Sequence, residues 1–131
     1  MALKARVLRR APSMLAYGCA DEKKLKQVCC AMGAELRVLK PEDWATRLGV
    51  LAGEVGPETL MAGEAPKESL LVFAYFSEAQ LDKALAALRK ESLLFDYKAM
   101  LTPTNRAWTL YELLEELKRE RAQIDAQRSN S

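Results

Sequence analysis

Three thiols and one polar loop are the groups through which this chain could do chemistry. Cys19 stands between a short apolar run, Met14 to Gly18, and the first helical segment. A helix N-terminus lowers the pKa of a thiol placed beside it, which makes Cys19 the reactive-group candidate. Cys29 falls on the apolar stripe of that helix and reads as core, with Cys30 as its neighbour. The chain contains no histidine. That removes His-based acid–base catalysis, Ser-His and Cys-His nucleophile pairs, and every His-containing metal site. A base for Cys19 would have to be a carboxylate or a lysine, and no partner is identifiable. The competing reading is an inert thiol that behaves as a small hydrophobe. The spacing of Cys19, Cys29 and Cys30 matches no zinc or iron–sulfur pattern, so no metal site is expected.

The polar loop is Thr102-Pro103-Thr104-Asn105, within seven residues that run from Thr102 to Trp108 between a strand and a helix cap. Two hydroxyls, a carboxamide and the N–H groups of a helix start suit a carboxylate or a phosphate. The same residues suit a closed turn in which Pro103 stiffens the chain, Asn105 bonds its own backbone and Trp108 anchors the helix. In a parallel sheet this loop lies beyond the carboxyl end of the fourth strand, the rim where α/β folds carry ligands. A switch point between the first and third strands would bring Gly18, Cys19 and Ser77 to one crevice. The candidate ligand-binding set is therefore Gly18, Cys19, Ser77, Thr102, Thr104 and Asn105, with no catalytic residue assigned. Lys98 reads as a solvated edge lysine.

Other familiar chemistry is missing. Neither G-x-G-x-x-G nor G-x-x-x-x-G-K-[ST] occurs. Tyr75-Phe76-Ser77 occupies the strand end where response-regulator receivers carry a phosphoacceptor aspartate, so that reading fails on its key residue. Glu115, Glu116 and Glu120 form a solvated helical face.

The elements that must position these groups are legible from period and caps. After Met14 to Gly18, Asp21 can cap a helix whose Leu25, Val28, Cys29 and Met32 share one face, and Gly33 suits a left-handed C-cap. Glu35 to Lys40 alternates like a half-exposed edge strand. Pro41 suits the first turn of a helix continued by Trp44, Leu48 and Leu51 to Gly53. The stretch from Gly53 to Glu68 is rich in glycine and proline and reads as a flexible connection. Ser69 to Tyr75 is apolar at successive positions, a strand buried on both faces. Ser77 and Gln80 form a capping box with Phe76 and Leu81 as staple, opening a helix that buries Leu81, Ala84, Leu85 and Leu88. Phe95 to Leu101 is a fourth strand, interrupted by Lys98. Thr109 with Glu112, and Trp108 with Leu113, repeat the capping device before a final helix carrying Leu110, Leu113, Leu114, Leu117 and Ile124.

The order βαβα, connection, βαβα implies an α/β fold: a small four-stranded, mostly parallel sheet of order 2-1-3-4 with helices on both faces. An α+β ferredoxin-like sandwich is the alternative, since it also centres strands one and three. The expected organisation is a basic leader over 1–13, disordered, then one α/β domain over 14–127 with the connection at 53–68, then a frayed tail over 128–131. A length of 131 residues fits one domain, and 50% hydrophobic content excludes intrinsic disorder of the whole. The longest apolar run, Leu70 to Phe76, is too short to span a bilayer.

The run Lys98-Ala99-Met100-Leu101-Thr102-Pro103-Thr104-Asn105, followed by Trp108-Thr109 and a Leu/Glu-rich helix, resembles a family of small, uncharacterised bacterial proteins classed as a domain of unknown function. Pro41-Glu42-Asp43 and Leu48-Gly49-Val50-Leu51-Ala52-Gly53 agree with the same pattern, which covers about Met14 to Gln123. The lysine-to-tryptophan motif is its specific part. The resemblance implies no activity, because none is assigned to the family.

With 20 Lys+Arg against 18 Asp+Glu, the net charge of +2 exerts no strong pull on nucleic acid or acidic membranes. Lys4, Arg6, Arg9 and Arg10 in the leader lack an aromatic platform, so nucleic acid is not an expected partner. An odd cysteine count without a disulfide framework points to a reducing, cytoplasmic setting. The expectation is a non-enzymatic ligand-sensing or protein-interaction module without a cofactor, partnered by a small anionic ligand or a protein. The alternative is a small enzyme using an activated Cys19 thiol and an anion-binding loop at Thr102 to Asn105. This pattern does not fix the oligomeric state, because both apolar faces of the central strands can be satisfied within one chain.

Overall fold

The computed structural model describes residues 11–40, 43, 46–56 and 67–129. In chain order these form β1 (Ser13–Tyr17), α1 (Glu22–Met32), β2 (Glu35–Val38), α2 (Leu48–Leu51), β3 (Leu70–Ala74), α3 (Glu78–Lys90), β4 (Tyr97–Met100), a 3-10 turn (Asn105–Ala107) and α4 (Leu110–Ser129). Two compact units result, Met1–Leu39 with Lys67–Leu101 and Lys40–Pro66 with Thr102–Ser131. The expected leader is described only from residue 11 and the connection only at its two ends. Pro41, Glu42, Trp44 and Ala45, from the expected second helix, also lie outside the described residues.

The first unit is the sheet and its two long helices. Strand order is β2-β1-β3-β4, as the apolar patterning requires: the fully buried strands are central and the half-exposed ones are edges. β1 with β2 and β3 with β4 are parallel, whereas β1 and β3 are antiparallel, in a register centred on Leu15 opposite Val72. The sheet is therefore two strand–helix–strand halves related by a two-fold axis. Two crossovers of the same hand related in that way must place both helices on one face. They do: Leu25, Val28 and Cys29 of α1 and Ala84 and Leu88 of α3 share one core with Met14, Ala16, Leu71 and Phe73. Leu15, Leu70 and Val72, which point to the opposite face, are buried as well.

Local chemistry explains the helix limits. The Asp21 carboxylate accepts from the Lys24 N–H at 3.0 Å and starts α1. Ser77 and Gln80 close a reciprocal capping box on α3, each side chain accepting from the other's N–H at 3.1 and 2.8 Å. Gly33, at φ +70°, ends α1 in a left-handed cap, with Ala34 N–H returning to the Cys29 carbonyl at 2.8 Å.

The second unit is built around α4 and the single turn of α2. Leu48 N–H donates to the Trp108 carbonyl at 2.8 Å, and an isolated antiparallel bridge joins Arg47 to Thr109. Thr109 and Glu112 form the expected capping box, at 3.2 and 3.1 Å. Leu110, Leu113 and Leu114 are buried beneath it.

Candidate functional site

The Thr102–Asn105 loop is closed on itself. Thr102 N–H donates to the Asn105 carboxamide oxygen at 2.8 Å, and Asn105 N–H donates back to the Thr102 hydroxyl at 3.0 Å. Trp108 N–H then bonds the Asn105 carbonyl at 2.9 Å, and Asn105 is buried while Thr102 and Thr104 are exposed. Two of the polar groups that made the loop a candidate thus stabilise the turn that enters α4.

Cys19 is half-buried, and its thiol sits above the ordinary range. Burial is the main cause. The Asp21 N–H opposes it, and the Glu22 and Asp21 carboxylates push the same way as burial. The helix start that was expected to activate this thiol carries its own acidic cap, which offsets the positive backbone potential. Cys29 lies in the core with its thiol 3.5 Å from the Met14 sulfur, and burial pushes it up to about 11.

The antiparallel central pair also separates groups expected to share a crevice. Gly18 and Cys19 follow the end of β1 that lies beside the start of β3. A Cβ on Gly18 would stand 3.3 Å from the Ser69 Cα. Ser77 follows the other end of β3, where Ala74 pairs with Ser13, and its hydroxyl is engaged by Gln80. The six candidates therefore fall into three places: Gly18 with Cys19, Ser77 alone, and Thr102, Thr104 and Asn105 in the second unit.

Residues 69–124 match the family described as Domain of unknown function (DUF3783). The DUF3783 segment runs from the start of β3 into α4 and includes the Lys98–Trp108 stretch, while β1, α1 and β2 lie outside it. No curated protein and no solved structure matches the chain.

A further feature of the sheet unit lies outside the DUF3783 segment, where α1 meets the β2 edge. A groove of about 600 Å³ runs there, lined by Cys29, Cys30, Ala34, Leu36 and Val38 together with the charged Glu22, Lys23 and Lys26. Glu35 N–H bonds the Pro12 carbonyl at 2.8 Å and Leu39 N–H the Ala16 carbonyl at 2.7 Å. Backbone groups alternate along a strand, so the N–H and C=O of Leu36 and Val38 point away from β1, out of the sheet. Alternation identified β2 as an edge. The groove was missed because nothing in the sequence reveals that α1 leaves the outer flank of Leu36 and Val38 half-covered. Among the described residues there is no metal-ligand cluster and no helix long and apolar enough to cross a membrane.

Proposed function

We propose that the protein is a non-enzymatic, cytoplasmic interaction module that engages a protein partner through the β2 edge and the groove beside it. The observation that carries this reading is the coincidence of outward-pointing Leu36 and Val38 backbone groups with an apolar groove along the same strand. Such an edge takes an extended segment by backbone hydrogen bonds, while the groove accepts its alternate side chains. The enzyme alternative is disfavoured by the Cys19 thiol, whose raised pKa makes it a poorer nucleophile at neutral pH.

A photo-crosslinking side chain at Val38, compared with the same group at Lys83 on α3, tests the proposal in cells. A protein adduct specific to position 38 is expected. The reading is overturned by equal labelling at both positions. It is also overturned by a saturable metabolite-induced rise in melting temperature that Thr104→Ala removes, which would return the function to ligand sensing at the Thr102–Asn105 loop.

A further inference from the structure

We infer that the occupant of the β2 edge is a second copy of this chain, paired antiparallel about a two-fold axis at Leu36. The inference rests on the edge-docking reading above. The outward-facing backbone groups are the N–H and C=O of Leu36 and Val38 and, by alternation, the C=O of Ala34, whose N–H is held by the Cys29 carbonyl. With Leu36 on the axis, Leu36 bonds its own copy in both directions and the Val38 N–H donates to the carbonyl of the partner's Ala34. In that register the non-bonded pairs, whose side chains stand closest, set Glu35 against the partner's Arg37 and Arg37 against the partner's Glu35. The Glu-Leu-Arg sequence of β2 is thus complementary to itself. Centring the axis on Arg37 places that cation against its copy. Centring it on Val38 loses both charge pairs.

The rest of the edge fits the same arrangement. Leu36 meets Leu36 at the centre of the seam, and Ala34 and Val38 extend the apolar floor across it. α1 crosses over the β1–β2 pair, so the two copies of α1 stand about two strand spacings apart, roughly 10 Å, a helix-packing distance. Each then covers the outer flank that the other leaves open, while the Lys23 and Lys26 stems line the seam and their ammonium groups reach water. The opposite edge does not support self-pairing. Tyr97 N–H bonds Ser69 and Leu101 N–H bonds Phe73, which turns the Lys98 and Met100 backbone groups outward. A two-fold axis at Lys98 would oppose two exposed lysines. Pairing β2 with β4 of a neighbour is heterologous and would extend without closing, whereas β2 with β2 ends at a dimer.

Sedimentation equilibrium on the full chain tests this, with circular dichroism confirming that each variant folds. The wild type is expected to be dimeric. Arg37→Glu, which sets Glu35 against an introduced carboxylate twice per dimer, should weaken association about tenfold or more. The double exchange Glu35→Arg with Arg37→Glu restores opposite charges and should recover the dimer, and Lys98→Glu on the other edge should leave it unchanged. A wild type that stays monomeric to about 1 mM overturns the inference. So does a double exchange as weak as the single reversal, or a dimer weakened by Lys98→Glu. A monomer that still forms a specific adduct with another protein at position 38 would sink the dimer while leaving the edge-docking reading intact.

Discussion

The two halves of the sheet unit, Ser13–Val38 and Leu70–Met100, share one order of strand, helix and parallel strand with different residues at its hardest points. Each central strand is followed by a left-handed residue, Gly18 at φ +71° in the first half and Tyr75 at φ +62° in the second. Each long helix ends in the same way. Gly33 occupies the left-handed position after α1 and Ser92 the corresponding position after α3, where Leu93 N–H returns to the Leu88 carbonyl at 2.9 Å. Both helices also place apolar residues at the same offsets from their caps: Leu25, Val28, Cys29 and Met32 after Asp21, and Leu81, Ala84, Leu85 and Leu88 after Ser77. The fold thus dictates the turns, and glycine is one way to meet the demand. A residue with a Cβ meets it at a cost of about 1–2 kcal/mol in the left-handed region. The second half carries that strain, and its capping box and aromatic core offset it.

The largest test of this contrast is Phe73→Ala. Phe73 is buried in the core, edge-on to Phe76 with ring centroids 5.3 Å apart, and stands where the first half has Ala16. Removing the ring should cost about 3–5 kcal/mol by chemical denaturation. A loss below about 1 kcal/mol would mean that the second half does not depend on it.

A smaller loss, about 2 kcal/mol, is expected for Gly18→Ala, which adds left-handed strain to a close approach at Ser69. Gly33→Ala should cost less, about 1 kcal/mol, because the space around it is open. Equal costs would show that the Ser69 contact adds nothing.

A pH experiment separates Cys29 from Leu85, its counterpart at the same offset. Its folded pKa of about 11 lies above the reference value of 9.0, so the folded state holds this proton more tightly than the unfolded state does. The stabilisation is fully present below pH 9 and is lost as pH rises towards 11, with a slope approaching about 1.4 kcal/mol per unit. Cys29→Ala should remove that component of the alkaline slope, and an unchanged slope would contradict the assignment. The smallest effect, and the only gain, is expected from Ser92→Gly. It should raise stability by up to about 1 kcal/mol by relieving the left-handed serine, and a loss would show that the cap tolerates serine without strain.

What was legible in the sequence follows the range of the signal. Caps and periodicity act over four to eight residues, and Asp21, Gly33, Ser77–Gln80 and Thr109–Glu112 all do what their spacing implies. A buried strand shows the same apolar run whichever way it points, so patterning read the halves correctly but not the reversal of β3 against β1. That reversal is why Gly18 and Ser77 lie at opposite ends of the central pair. Asn105 shows a different limit. A short polar side chain that closes its own turn and one that awaits a ligand have the same sequence signature, and only the reciprocal bonds with Thr102 distinguish them.

The most direct test of the edge account is amide hydrogen exchange, residue by residue, on the two outer strands. Leu36 and Val38 on β2 and Lys98 on β4 direct their N–H groups out of the sheet, so an isolated chain would exchange them at similar rates. The account predicts that Leu36 and Val38 are protected at high protein concentration and lose that protection on dilution or in Arg37→Glu, while exchange at Lys98 does not change with concentration. Equal, concentration-independent exchange at both edges would contradict it.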